Sequence, residues 1–211
     1  MKRLLTTLSL LCLLLPLCAQ YRSENMSLLG VSAEYKKPMG DFGDIVKNGM
    51  GINVVGKYLV NPVIGIGFEA GYHNFKADAG NTNNISQERK YNLIPLLLEG
   101  TFYIPNWDRT LLPYLGVHFG GNLLNVKIEQ SSIDYESRNI SKSINRFVIG
   151  GGLHAGVLLE MSEFFSLDIK LKYDYIPGID DKYEIDDYNS GLLGFDKITD
   201  VGISLGLLYR F

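Results

Sequence analysis

Cysteine is nearly missing from this chain. Among 211 residues there are two, Cys12 and Cys18, both within the first twenty positions. Once that stretch is removed on export, nothing remains to form a disulfide, hold a metal through thiolate or act as a cysteine nucleophile. An excess of basic charge is lacking too. The chain has 20 Lys+Arg against 23 Asp+Glu and a formal net charge of −3, which becomes −5 without Lys2 and Arg3. No nucleic-acid partner is expected from that balance. Long apolar runs are also absent after residue 20. The run Leu4 to Leu17 falls short of the roughly 20 residues a spanning helix requires. It follows Lys2-Arg3 and ends in Cys18-Ala19-Gln20, which is the layout of a secretory leader. Cleavage is expected after Gln20, giving a leader at 1–20 and a single domain at 21–211. A lipoprotein reading at Leu15-Pro16-Leu17-Cys18 is weaker, because bulky Leu17 stands where a small residue is usual.

What fills the remaining chain is alternation. Eight stretches of period two run approximately Ser27 to Tyr35, Met50 to Val60, Val63 to Phe75, Lys90 to Ile104, Pro113 to Val126, Arg146 to Met161, Ser166 to Ile176 and Ile198 to Phe211. Each meets or approaches the roughly 9 to 11 residues with which a tilted strand crosses hydrocarbon. The connections alternate as well. Lys36 to Gly49, Lys76 to Arg89, Lys127 to Asn145 and Pro177 to Lys197 are long, whereas Asn61-Pro62, Pro105 to Leu112 and Ser162 to Phe165 are shorter. Long loops on one side and short turns on the other are the asymmetry of outer-membrane barrels. The expected fold is all-β: an eight-stranded, antiparallel, up-and-down transmembrane β-barrel with both termini on the periplasmic side.

The strand facing is legible where every second residue is charged. Leu167, Ile169, Leu171, Tyr173 and Tyr175 share one face of the seventh stretch, and Asp168, Lys170, Lys172 and Asp174 share the other. A soluble barrel would turn the apolar face inward, whereas a membrane barrel turns it outward. Glycine decides for the membrane. Gly65, Gly67, Gly71, Gly150, Gly152 and Gly156 lie on the charged face, where a narrow interior has little room, while a water-facing exterior has no reason to favour glycine. Tyr35, Tyr72, Phe147, Tyr173 and Tyr175 fall toward the loop ends, and Tyr58, Phe102, Tyr209 and Phe211 toward the turn ends, as two interfacial girdles would. Hydrocarbon tolerates no open sheet edge, so the eighth strand must pair with the first. Pro95 cannot donate to a ladder and is expected at a bulge or a locally unpaired position.

With its leader, its eight strands, the segments Leu93-Ile94-Pro95-Leu96-Leu97-Leu98 and Pro113-Tyr114-Leu115-Gly116, and the terminal Leu207-Leu208-Tyr209-Arg210-Phe211, the chain resembles a known family. This is the small outer-membrane β-barrel domain family, which includes the OmpA transmembrane domain, OmpX-like barrels and many porin family proteins. The resemblance covers residues 21–211 and implies residence in the bacterial cell outer membrane. It also implies that Tyr209 and Phe211 form a C-terminal signal read by the barrel assembly machinery during insertion. With no peptidoglycan-binding domain after Phe211, the anchoring role of full-length OmpA-like proteins is not expected.

Ten charged residues are expected in the lumen: Glu34, Lys57, Glu69, Glu160, Asp168, Lys170, Lys172, Asp174, Asp200 and Arg210. An ion path or proton relay would use such groups. The preferred reading is a paired, structural network that satisfies a narrow interior, because eight strands leave room for little more than side chains. The three histidines, His73, His118 and His154, share the lumen face on strands three, five and six, and hydrogen-bonded structural roles are expected rather than a metal site. Barrel enzymes of the lipid A deacylase type use a His-x-Ser pair, whereas these histidines precede Asn74-Phe75, Phe119-Gly120 and Ala155-Gly156. No catalytic residue, metal or cofactor is therefore expected. The acidic stretch Asp180 to Asp187 lacks the order of an EF-hand loop. The glycosylation sequons at Asn25, Asn84 and Asn139 are incidental in this setting.

The function expected is structural, or an interaction made with a surface ligand through four external loops. The expected partners are outer-membrane lipid and, during insertion, the assembly machinery. A narrow pore for small solutes is the alternative. A lipocalin-like soluble carrier and a lipid-modifying barrel enzyme stand further off.

Overall fold

The computed structural model describes residues 26–77, 81–82, 85–104, 111–132, 140–179 and 195–211. Eight long strands dominate: β1 (Met26–Met39), β2 (Val46–Leu59), β3 (Ile64–Ala77), β4 (Ile85–Tyr103), β5 (Leu111–Ser132), β6 (Ile140–Glu160), β7 (Phe165–Ile176) and β8 (Ile198–Arg210). A short helix, α1 (Gly40–Ile45), joins β1 to β2. Consecutive strands pair antiparallel, and β1 pairs with β8 from Leu28↔Arg210 to Met39↔Thr199. The sheet is therefore a closed up-and-down barrel with no free edge among its eight strands. A two-residue bridge, Asn81–Thr82, folds back on the start of β4.

Two of the short turns have a local cause in sequence. Asn61 Oδ1 accepts hydrogen bonds from Val63 N at 2.8 Å and Ile64 N at 2.7 Å. Ser162 Oγ accepts from Phe165 N at 3.0 Å. These side chains stand in for backbone acceptors and fix tight reversals. At the other end Gly40, at φ +62°, turns the chain from β1 into α1. Pro95 sits where the β3–β4 ladder lapses between Ala70↔Leu96 and His73↔Leu93 without a change of register. It is unpaired on the β3 side alone, is still in register with Asn122 of β5, and is not a bulge.

Alternation sets the two faces. Outward residues such as Val31, Met50, Ile52, Leu98, Phe119 and Leu153 are exposed, and the two aromatic girdles expected from sequence are exposed with them. Inward residues are polar through the middle of the barrel. That inversion rules out the apolar interior of a soluble carrier.

The strands run further than the apolar pattern alone predicts. β1 continues to Met39, β4 begins at Ile85, β5 reaches Ser132 and β6 begins at Ile140. The reason is a change of solvent. Beyond the apolar belt the alternation persists, but outward positions such as Lys37, Lys127 and Asn145 are polar, so an apolar/polar reading loses the strand while the backbone ladder continues.

Candidate functional site

Space for the lumen's large polar groups comes from glycines directly opposite them in the ladder. His73 faces Gly51, Asn53 faces Gly71, His154 faces Gly116, His118 faces Gly152 and Tyr114 faces Gly156. A Cβ at each of those glycines would collide with the side chain it faces. The glycine-rich face therefore seats imidazoles, amides and a phenol across the barrel.

Into this space project four lysines and six carboxylates, all buried. Lys170 Nζ donates to Glu69 Oε2 at 2.8 Å and Glu99 Oε1 at 2.7 Å. Lys172 Nζ donates to Glu69 Oε1 at 2.6 Å and lies 3.4 Å from Glu34 Oε1. Lys36 Nζ donates to Asp174 and, at 3.0 Å, to Asp200 Oδ1. Nearer the short turns, Lys57 Nζ reaches Asp168 Oδ2 at 2.7 Å and lies 4.3 Å from the Tyr114 ring centroid, while Tyr114 donates to Asp168 Oδ1 at 2.5 Å. Such charges are held out of water only because each has a partner across the lumen. With the three histidines and Tyr114, every strand of the barrel contributes.

The histidines divide. His118 and His154 stack, and His118 Nε2 lies 2.5 Å from Asp174 Oδ1. Thr101 Oγ1 lies 3.3 Å from His154 Nε2. His73 stands apart, its Nε2 3.2 Å from Glu34 Oε2. Among the described residues no group of three or more His, Cys, Asp or Glu is placed to hold a metal ion.

Eight of the ten expected lumen charges lie in this buried layer: Glu34, Lys57, Glu69, Asp168, Lys170, Lys172, Asp174 and Asp200. Glu160 and Arg210 do not. They pair with each other, part-exposed, at the short-turn rim. Sequence reasoning passed over Lys36, which follows Ser32 and Glu34 on the same inward face, and Glu99, which shares parity with Leu97 and Thr101. Tyr209 and Phe211 stand on the outside, half-exposed. The acidic stretch 180–187 and the sequons at Asn25, Asn84 and Asn139 lie outside the described residues.

The charged layer is bounded by two apolar ones. Toward the long loops, Phe42 of α1 packs edge-on against Phe75, Tyr91 and Phe195, with Leu93 and Leu124 in the same cluster. Toward the short turns lie Leu28, Val55, Tyr103, Tyr114, Leu158 and Leu208.

The chain forms a closed eight-stranded barrel with an apolar exterior and a charged interior, and the match to a family model, the outer membrane protein beta-barrel domain, spans residues 7–211. The chain belongs to this family. No curated protein sequence matches it. Among solved barrels it is similar to Neisserial surface protein A, at 16% identity and TM-score 0.54, over 88% of this chain and 97% of that one. It is similar to OprG of Pseudomonas aeruginosa, at 14% identity and TM-score 0.52, over 90% and 97%. A major outer membrane protein from Thermus thermophilus aligns at 16% identity and TM-score 0.51, over 88% and 99%. These likenesses are of fold; the outer-membrane assignment comes with the family.

Proposed function

We propose that this outer-membrane barrel acts as a structural or surface-interaction protein, presenting loops to the exterior on a lumen that conducts little. What carries the reading is the three-layer interior: a charge layer in which six carboxylates share four lysines, between an aromatic cluster around Phe42 and an apolar cluster around Leu158 and Leu208. Water in a continuous column would have to displace either apolar layer and then compete with lysine–carboxylate contacts of 2.6–3.0 Å. In the same reading the barrel is not an enzyme. Its partners are lipid, the assembly machinery that recognises Tyr209 and Phe211, and a ligand of the external loops.

The second reading is a narrow passage for small solutes. It draws on the charged layer, whose six carboxylates against four lysines would favour cations. Purified protein in planar bilayers separates the two. The closed-lumen reading expects negligible steady conductance. Reproducible unitary steps, with ion preference changed by Lys170→Gln and Lys172→Gln, would replace it with the pore.

A further inference from the structure

At the long-loop end of the lumen, one side chain on a short turn fills a cup made by the barrel wall. Phe42 is the buried residue of α1, at 1% exposure. Its ring meets those of Phe75, Tyr91 and Phe195 edge-on, at centroid distances of 5.4, 6.1 and 4.8 Å and interplanar angles of 72°, 85° and 62°. Leu93, Leu124 and Ile176 belong to the same cluster. Of these six partners all but Phe195 stand on barrel strands, whereas Phe42 stands on the connection between β1 and β2. The barrel supplies the cup, and a loop supplies what fills it. Glycine makes room here as well, since a Cβ at Gly49 would lie 2.5 Å from the Phe75 ring.

The connection is built to pivot. The β1–β2 ladder ends at Lys36↔Gly49, although β1 stays on β8 as far as Met39, and β2 stays on β3 back to Val46, across a register shift between Val46 and Gly49. The two arms are therefore fixed to different neighbours, with α1 slung between them. At its start Gly40 takes φ +62°, with nothing within 4 Å of the position its Cβ would occupy. Element-terminal residues absorb the dihedral change of a hinge. α1 has six residues and no side-chain cap at Met39. A helix that short has no stability of its own, so its docking rests on Phe42, with part-buried Ile45 beside it.

We infer that the cup is a binding site for a small neutral aromatic molecule, and that Phe42 occupies it in this conformation. The ligand takes the place of the Phe42 ring while α1 swings outward about Gly40. An aromatic is specified over an aliphatic of equal size because three rings surround the seat, and such pairs add to what buried area supplies. A free molecule is specified over a partner's side chain because the seat is sunk within the strand wall, where a partner would have to bring its backbone in with the ring. The apolar layer around Leu158 and Leu208 is untouched, so the inference goes beyond the closed-lumen reading without altering it.

The test uses the full chain in phosphatidylcholine nanodiscs and benzyl alcohol, whose benzyl group is a phenylalanine side chain freed from its backbone. Because no cysteine follows Cys18, D44C carries a single nitroxide at an exposed position of α1. Benzyl alcohol should mobilise that label saturably and show nuclear Overhauser contacts to the methyl groups of Leu93, Leu124 and Ile176. Cyclohexylmethanol, the saturated analogue, should bind at least about tenfold more weakly. G40A removes nothing from the cup but strains the docked turn, so a larger fraction is open and affinity should rise about fivefold. F42A empties the seat and should raise affinity by about tenfold or more. Insertion of each variant is read separately by heat-modifiable gel migration. Equal binding of the two alcohols, a label that stays immobile at saturation, unchanged affinity in G40A, or contacts confined to lipid-facing residues such as Leu98 and Phe119 would each overturn the inference.

Discussion

His118 and His154 stack on neighbouring strands, with ring centroids 5.7 Å apart, planes 18° from parallel and Nδ1 atoms 3.4 Å apart. A hydrogen bond between two Nδ1 atoms needs a proton on one and none on the other. His118 meets Asp174 through Nε2, and His154 meets the Thr101 hydroxyl through its own Nε2. One arrangement satisfies all three contacts with neutral rings: Thr101 donates to His154, His154 Nδ1 donates to His118, and His118 Nε2 donates to Asp174. Nitrogen-15 spectra of labelled imidazoles should show His118 protonated at Nε2 and His154 at Nδ1. Identical tautomers would break the relay.

Lys170 bridges Glu69 and Glu99 and is about 1% exposed. Lys170→Met should strand Glu99, leave Glu69 with Lys172 alone, and lower unfolding free energy in detergent by about 3–5 kcal/mol. Adding Glu99→Gln should recover part of that loss, since the penalty lies in the uncompensated charge. A double variant no more stable than Lys170→Met would show that the Glu99 charge is not what the lysine offsets.

Glycine placement predicts opposite outcomes at two positions. Gly152→Ala would push a methyl into the Tyr173 carbonyl and the His118 ring, costing about 1–3 kcal/mol by overpacking. Gly100→Ala meets only Val117 Cγ2, at 3.8 Å, and should change stability by no more than about 0.5 kcal/mol. Chemical unfolding of both variants checks the contrast.

The order, number and facing of the strands were legible because hydrocarbon outside and charge inside impose a strict period of two. So were eight of the ten lumen charges. Lys36 escaped because β1 was ended at Tyr35, where the apolar outward face gives way to Lys37. The two apolar layers were hidden for a different reason. Tyr91, Leu93, Leu124 and Val126 point inward, and in sequence an inward apolar residue reads as noise in the alternation. Cross-barrel partners such as Lys57 and Asp168, 111 residues apart, depend on closure, which no local pattern encodes.

Phe42 closes the long-loop side of the lumen against Phe75, Tyr91 and Phe195. F42A/F195A should admit water to Lys36, Asp174 and Asp200, raising hydrogen exchange along β1 and β8. Planar-bilayer conductance should nonetheless stay near baseline, because Leu158 and Leu208 still obstruct the other side. Open-channel currents in this variant would show that the aromatic cluster is the only barrier.

Phe211 donates its backbone N–H to Ser27 O at 3.1 Å, and its ring remains half-exposed. Deleting Phe211 should reduce the amount of heat-modifiable, membrane-assembled protein while leaving export unchanged. Pulse-labelled cells fractionated into periplasm and outer membrane would show the difference as unassembled chain in the periplasm. Equal assembly would remove the terminal aromatic from the recognition signal.

Lys36 reaches Asp174 and Asp200 across 138 and 164 residues of sequence, and Lys172 meets Glu34 across 138. These contacts join the first strand to the last two, so none exists until the seam between β1 and β8 is shut. A partly inserted sheet would hold the ammonium and carboxylate groups of β1, β7 and β8 facing lipid with no counterpart, a state several kcal/mol uphill for each unpaired group. The growing hairpins therefore need a wet or protein-lined enclosure until the circle is complete. Premature release into the bilayer is penalised, and the same charges that fill the finished interior make insertion an all-or-none event.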